Sequence, residues 1–534
     1  VISAVAGFLL LSNLDDQVLW QDEAQTAVIA KTIPQHGIPK GHDGKNFFSQ
    51  ISGGEYGDDH VWKWHPWLPF YVVAASFKLF GATTFAARFP FALFGIATIV
   101  LTYSVALSLF HNKRVALVSC VFLLLSVPFL LLSRQCRYYA LTMFFSMLGF
   151  LAYNRLMDEK KFSGISFVLA LTLLFHSHFI YFAPLLATFC AHAAIFYRRK
   201  IRLLLKPVVT SLIINLPWIL WFSGAKYNVQ PGYLFHLEQV LIFGKQYLSD
   251  IGLFILSPTL LVGAILLGGM GWWKEKQLTQ GKNPFWQKIA WLLAFCILSL
   301  VAVWYLPHKH VIVAIGIIVG SLAISFYRKS KYWKNVSLLV IFAIITLSTL
   351  LVSAPLYFRF LAPLVPVLGI LIAVIVEIGI EFHPLIGGIV IVVALTPSKL
   401  MGEYVYEITH HYEGPMDGIV RYLQEHADQK DTVLITYEDL PLKFYTDMKV
   451  VGGLTGEGLS PFTSPQWMIL RKHVIGLEDS TVRKHASSKI DWNIYRSIAI
   501  PYPDIPWQNR EDPKEHHFRT VRDADSIRIY RRIR

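Results

Sequence analysis

The sequence predicts a polytopic all-α membrane protein followed by a C-terminal α/β domain outside the bilayer. Three observations predict it. Of the 534 residues, 54% are hydrophobic and only 16% charged, with a mean hydropathy of +0.46, whereas a soluble globular chain carries about 25% charged residues. Apolar runs recur along residues 1–396, many near the roughly 20 residues that cross a hydrocarbon core about 30 Å thick. The remaining stretch, 397–534, is polar, with 19 basic and 20 acidic residues. This composition excludes disorder, a collagen-like repeat and a small disulfide scaffold. Cys120, Cys136, Cys190 and Cys296 all sit in or beside apolar runs, and no CxxC spacing suggests redox or metal chemistry.

Taken in order, the candidate spans are 1–12, 84–110, 115–132, 138–157, 164–176, 178–197, 203–222, 250–273, 288–306, 311–327, 335–354, 358–380 and 385–396, thirteen in all. The first run is partial, since the chain begins with Val rather than Met, and no basic flank or cleavage site marks it as a signal peptide. With the N-terminus in the cytoplasm, the inner loops and the span ends beside them hold eighteen Lys and Arg against five in the short outer loops. That is the bias of the positive-inside rule. An odd number of spans then places the C-terminus outside.

Two segments stand apart from the spans. The outer loop 13–83 is long for a connection within a compact domain, and its apolar stretch 67–80 reads as a helix lying in the interface. Counting that stretch as a span would reverse every later loop and destroy the charge asymmetry. In the tail, Asp417–His426 and Leu440–Thr446 read as helices, and Thr432–Thr436 and Ile527–Tyr530 as strands. Because the tail is nearly neutral, the net charge of +14 belongs to the inner loops at the anionic cytoplasmic leaflet. It is a topology signal and implies no nucleic-acid partner.

Polar chemistry concentrates in the first outer loop. Asp15, Asp16, Asp22, Glu23, Asp43, Glu55, Asp58 and Asp59 alternate with Trp20, Trp62, Trp64 and Trp67. Partial burial raises a carboxyl toward the range of a general base, and Trp suits both the lipid boundary and the face of a sugar ring. A solvated acidic loop with interfacial anchors is the plainer alternative. Asp22 and Glu23 stand just ahead of Ala24–Lys31, which reads as a short amphipathic helix. There an Asp can cap the helix or meet a substrate at the membrane surface.

The order of motifs carries a resemblance. A first span and Asp22-Glu23-Ala24 precede Gly44-Lys45, His65-Pro66-Trp67-Leu68-Pro69 and the run Phe80-Gly81-Ala82-Thr83-Thr84-Phe85-Ala86-Ala87-Arg88-Phe89-Pro90. Ser133-Arg134-Gln135-Cys136-Arg137-Tyr138-Tyr139 and Arg359-Phe360-Leu361-Ala362-Pro363 follow. The sequence resembles the C superfamily of membrane glycosyltransferases (glycosyltransferase C fold), nearest to the protein O-mannosyltransferases and the lipid A aminoarabinose transferase. The resemblance implies transfer of a sugar, with inversion, from a polyprenyl-phosphate donor to a lipid, glycan or protein acceptor on the outer face of a bacterial cell membrane. It makes Asp22 the general base and Glu23 its positioning partner. It leaves the donor-phosphate ligand open between Lys63 and His65.

A phosphate leaving group needs cations around its developing charge. Arg134, Arg137 and Arg359 at outer helix ends are the candidates, unless they merely snorkel to the interface. Tyr139 and its neighbour Tyr138 could donate to the phosphate, and Asp58, Asp59 and Trp64 are candidates for the acceptor or sugar. The pairs His176/His178, His308/His310, His410/His411 and His516/His517 lack metal-site spacing. Asp58-Asp59-His60 is only loosely like a divalent-metal cluster, so no obligatory metal cofactor is expected. A flippase for polyprenyl-linked sugars is the main competing function, although transporters usually show paired, broken-helix repeats.

Overall fold

The computed structural model describes residues 1–223, 237–251, 331–353, 357–382, 399–472, 477–506, 509–521 and 525–533. The candidate spans at 288–306, 311–327 and 385–396, and all but the first two residues of 250–273, lie outside the described residues. Helices α1 (Ile2–Leu11), α2 (Gln21–His36), α3 (Leu68–Phe80), α4 (Thr84–Phe110), α5 (Lys113–Leu125), α6 (Val127–Arg134), α7 (Tyr139–Met157), α8 (Ser163–Ser177), α9 (Phe182–Phe196) and α10 (Arg202–Ser223) follow in order. Then come α11 (Leu237–Asp250), α12 (Trp333–Ser353) and α13 (Leu364–Phe382). Among the described residues, five helices are long and apolar enough to cross a membrane: Thr84–Phe110, Tyr139–Met157, Phe179–Phe196, Arg202–Trp221 and Trp333–Leu351.

Two sequence expectations change. The run 115–132 is not one straight helix, because α5 and α6 meet at an angle of 69°. Ser126 between them is extended, and Pro128 opens α6. A proline has no N–H to continue the ladder from α5, and its ring clashes with the preceding turn. Second, the helix expected at Ala24–Lys31 begins earlier, at Gln21, and runs to His36. Glu23 turns back to accept from the Trp20 N–H at 3.4 Å, so Asp22 and Glu23 occupy the first turn, where the helix dipole favours negative charge.

One buried ion pair fastens this first turn to the bundle. Arg88 of α4 gives Nε to Glu23 Oε1 at 2.9 Å and Nη2 to Glu23 Oε2 at 2.6 Å. Its other N–H groups reach the carbonyls of Leu14, Gln17 and Val18 at 2.9–3.2 Å. Glu23 also accepts the Cys136 N–H at 2.8 Å. Both side chains are buried, so their desolvation is met by a nearly saturated set of charge-assisted bonds. The pair thereby ties α2, α4, the chain after α1 and the turn between α6 and α7. Gly95 permits the approach of α4 to α6, since a Cβ there would lie 2.6 Å from the Ser133 Cβ.

The C-terminal residues build a five-stranded sheet from β1 (Thr432–Ile435), β2 (Lys449–Gly452), β3 (Trp467–Ile469), β4 (Tyr495–Pro503) and β5 (Ser526–Arg532), ordered β2-β1-β3-β5-β4. The first three strands run parallel, and β5 pairs antiparallel with β3 and β4. Strand alternation sends Val433 and Ile435 toward Ile419 and Leu423 of helix Pro415–His426, and Leu434 toward Val482 and Ala486 of helix Leu477–Lys489.

The sheet unit docks onto the first loop and α2. Helix Asp439–Tyr445 packs on α2, with Leu440 and Phe444 in the same apolar core as the membrane helices. At the junction, buried Lys443 pairs with Asp439, whose other oxygen accepts from Gln21 at 3.0 Å. Asn46 brackets β2, donating to Met448 O at 3.0 Å and accepting from Val450 N at 2.9 Å.

Replacing Arg88 with Met would leave Glu23 buried and unpaired, a loss of about 3–5 kcal/mol. The expected outcome is a clear drop in the melting temperature of the detergent-solubilised protein, and an unchanged transition would reject the role given to this pair.

Candidate active site at the start of α2

Because Glu23 points to Arg88, its neighbour Asp22 projects from another side of the same turn. Its carboxylate is 7% exposed and meets two cations that lie far away in sequence. Arg359, on the 3₁₀ turn Phe358–Leu361 that precedes α13, pairs with Oδ2 through Nη1. Arg137, on the turn before α7, places Nη2 3.4 Å from the same oxygen. Arg137 is itself held by Nη1 bonds to the Asp22 carbonyl and the Thr26 hydroxyl, each at 3.1 Å. Gln50 donates to Asp22 Oδ1 at 3.0 Å, and Gln50 is in turn fixed by its own N–H on buried Glu55 at 2.6 Å. Burial pushes the Asp22 carboxyl up, but Arg359, Arg137 and the Gln50 bond outweigh it and bring the pKa down to about 2. Burial pushes Glu55 upward.

An aromatic wall stands beside the two arginines. The Tyr138 ring lies 4.1 Å from that of His178 and 6.1 Å from His65, and the two imidazoles are 5.6 Å apart. Burial, and then the nearby positive charge of Arg137, hold His65 well below its usual pKa. It is therefore neutral at pH 7. Tyr139 is fully buried, and its hydroxyl has no hydrogen-bond partner among the described residues.

The structure thus brings Asp22, Arg137 and Arg359 into direct contact, with Tyr139 and His65 beside them. Other candidates lie elsewhere. Arg134 gives its guanidinium to the Ser12 and Asn13 carbonyls at 2.7 and 3.0 Å, capping the end of α1, a use of a cation that the helix dipole favours. Lys63 pairs with Asp59 at 3.7 Å on the surface. Asp58 is exposed, and Trp64 stacks edge-on against His65 at 6.0 Å. Glu23 is fully engaged with Arg88 and two backbone N–H groups, which leaves it a positioning residue. Among the described residues, no three His, Cys, Asp or Glu side chains gather as a metal site; His308 and His310 lie outside those residues. A small cleft lies behind Glu23, lined by Gln17, Arg134, Asn509 and His516, not over Asp22.

Sequence reasoning missed Gln50, Arg510 and Glu511, and did not separate Glu55 from the other acids of the first loop. Glu511 comes from the segment between β4 and β5, and its Oε1 lies 3.7 Å from Arg359 Nη1. No local pattern distinguishes it from the tail's other acids.

Residues 64–221 match the family described as dolichyl-phosphate-mannose-protein mannosyltransferase. An Aquifex aeolicus (strain VF5) protein, described only as uncharacterized, is 26% identical over 331 residues. That match covers 58% of this chain and 62% of the relative. Among solved structures, ArnT from Cupriavidus metallidurans bound to undecaprenyl phosphate superposes with a TM-score of 0.51 at 13% identity, over 99% of this chain and 97% of that one. The Archaeoglobus fulgidus oligosaccharyltransferase in complex with Zn and sulfate gives 0.52 at 14% identity, over 85% and 62%. The chain has the glycosyltransferase C fold of the membrane glycosyltransferases.

The arginine clamp predicts a measurable titration. Arg359→Gln removes the nearest cation, so the Asp22 carboxyl rises from about 2, held in part by Arg137 and Gln50. Infrared difference spectra, blanked with Asp22→Asn, should show this carboxyl titrating at higher pH in the variant than in the parent. An unchanged titration would dismiss the clamp.

Proposed function

We propose that the protein is an integral membrane glycosyltransferase that takes a sugar from a polyprenyl-phosphate carrier and passes it, with inversion, to an acceptor on lipid, glycan or protein. The observation that carries this reading is a buried carboxylate clamped by two arginines, Asp22 between Arg137 and Arg359. An alcohol is a weak nucleophile until a positioned base takes its proton. Asp22 takes the acceptor hydroxyl's proton as the oxygen bonds to the anomeric carbon. The bond from that carbon to the phosphate oxygen breaks, and its electron pair leaves with the lipid phosphate. Arg137 and Arg359 stabilise that charge in a site with little water, where fixed cations act strongly. Tyr139 is a further donor to the phosphate. His65 is better placed than Lys63 to line the donor site, since it faces Tyr138 and His178.

In this reading residues 1–396 form the membrane domain and 397–534 an extracytoplasmic domain, with the N-terminus in the cytoplasm and the reaction on the outer face. The eighteen-to-five asymmetry of basic residues in the loops and adjoining span ends supports that orientation.

Asp22→Asn should lower transfer by about 10²–10⁴-fold, the usual contribution of a general base, while binding of undecaprenyl phosphate persists. Full activity in this variant would remove Asp22 as the base. Arg359→Ala should weaken undecaprenyl phosphate binding, which titration in detergent would measure; an unchanged affinity would refute its phosphate role. Mass spectrometry of surface glycans and lipids in a deletion strain should show one sugar missing. A lipid-linked sugar stranded inside the cell would instead favour a flippase.

A further inference from the structure

Arg359 serves two carboxylates through one nitrogen. Its Nη1 pairs with Asp22 Oδ2 and lies 3.7 Å from Glu511 Oε1. Glu511 is 1% exposed, and its second oxygen accepts no hydrogen bond among the described residues, with Arg510 Nε 3.7 Å away. The segment that carries it is fastened on both sides. Asn509 donates to Val18 O at 2.7 Å, Gln135 donates to Asn509 O at 3.1 Å, and His516 meets Glu407 at 2.8 Å. Glu511 therefore has little freedom to find another partner.

A phosphate that takes Arg359 Nη1 displaces one of these carboxylates, and their alternatives differ. Asp22 keeps Gln50 and Arg137 when Arg359 leaves it. Glu511 would keep a bond from its own backbone N–H and Arg510 at 3.7 Å, without a side-chain hydrogen bond, and a buried charge that loses a cation is costly. We propose that Glu511 is a positioning residue for the transfer reaction: it holds Arg359 against the C-terminal segment, so that the donor phosphate releases Asp22 from the guanidinium toward the acceptor hydroxyl. This rests on the reading of Asp22 as base and of the donor as a lipid-linked phosphate. Arg137 and Arg359 face Asp22 and Glu511, and Arg510 is shared between Glu511 and Glu515, with Tyr138, Tyr139, His65 and His178 around them. When the leaving phosphate gains a second negative charge, the carboxylate that takes the proton loses one, so the net charge of the set does not change. Burial raises the Glu511 carboxyl, and Arg359 and Arg510 oppose that rise.

The test uses the full-length protein in detergent, with undecaprenyl phosphate as the probe, between pH 3 and pH 6, where the probe carries one negative charge. In wild type, bound undecaprenyl phosphate should raise the Asp22 titration, read by infrared difference against Asp22→Asn. In Glu511→Gln, the probe should bind about tenfold tighter, since one opposing charge is gone, roughly one pKa unit's worth of interaction. The probe-induced rise in Asp22 should also be smaller, because Arg359 then has Asp22 as its only carboxylate. Glu511→Asp keeps the charge but draws it back, and should fall between; it carries the same test if Glu511→Gln fails to fold. Weaker probe binding in Glu511→Gln, or an Asp22 rise equal to wild type, overturns the proposal. Loss of turnover as complete as in Asp22→Asn would also overturn it, by making Glu511 a base itself. Failure of wild type to bind undecaprenyl phosphate at all would instead remove the donor reading beneath it.

Discussion

The Arg88–Glu23 pair is the constraint on which the site depends. Every N–H of Arg88 is engaged, by Glu23 and by three carbonyls that follow α1. A long cation on a membrane helix thus fixes the loop that leaves the first helix and the helix that follows. Since Glu23 cannot turn without breaking this set, the first turn of α2 has one orientation. The direction of Asp22 follows from it. Two adjacent carboxylates so acquire different tasks, one consumed by architecture and the other left at the meeting point of α2, the turn before α7 and the turn before α13.

That meeting point shows how a protein keeps ionised groups out of water. A lone buried charge is prohibitive, and a paired one is tolerated only where hydrogen bonds complete the pair. Here the arginines come from separate turns between helices, where backbone geometry can aim a guanidinium inward. Arg137 is braced by α2 itself and Arg359 by carboxylates on two sides. The result is a buried pair of guanidinium groups whose partner is the protein's own aspartate. Under the proposed function, a ligand phosphate would compete with that carboxylate.

The sequence made the membrane helices legible wherever an apolar run exceeded a bilayer's width, as in Thr84–Phe110 and Tyr139–Met157. It also exposed Asp22 through the resemblance that Asp22-Glu23-Ala24 carries, and Arg137 and Arg359 as cations at outer helix ends. The break at Ser126 was hidden within a continuous apolar run, although Pro128 marked it. Arg134 looks the same as Arg137 in sequence. The difference is a set of free carbonyls at the end of α1, which only the packing of α6 against α1 brings near. Strands β2, β3 and β4 are short or irregular and carry weak alternation. Gln50 and Glu511 escaped because nothing local separates them from other polar loop residues; their meaning lies in distances across hundreds of residues.

The contact between Glu511 and Arg359 also bears on the timing of synthesis. The site draws on residues 22, 50, 137, 359 and 511, so a ribosome must produce nearly all of this sequence before the cluster can close. Until the segment 509–521 has emerged and settled against Val18 and Gln135, Arg359 lacks its second carboxylate. If Asp22 and Arg359 act as proposed, a partly made chain already inserted in lipid would hold its aspartate clamped and inert.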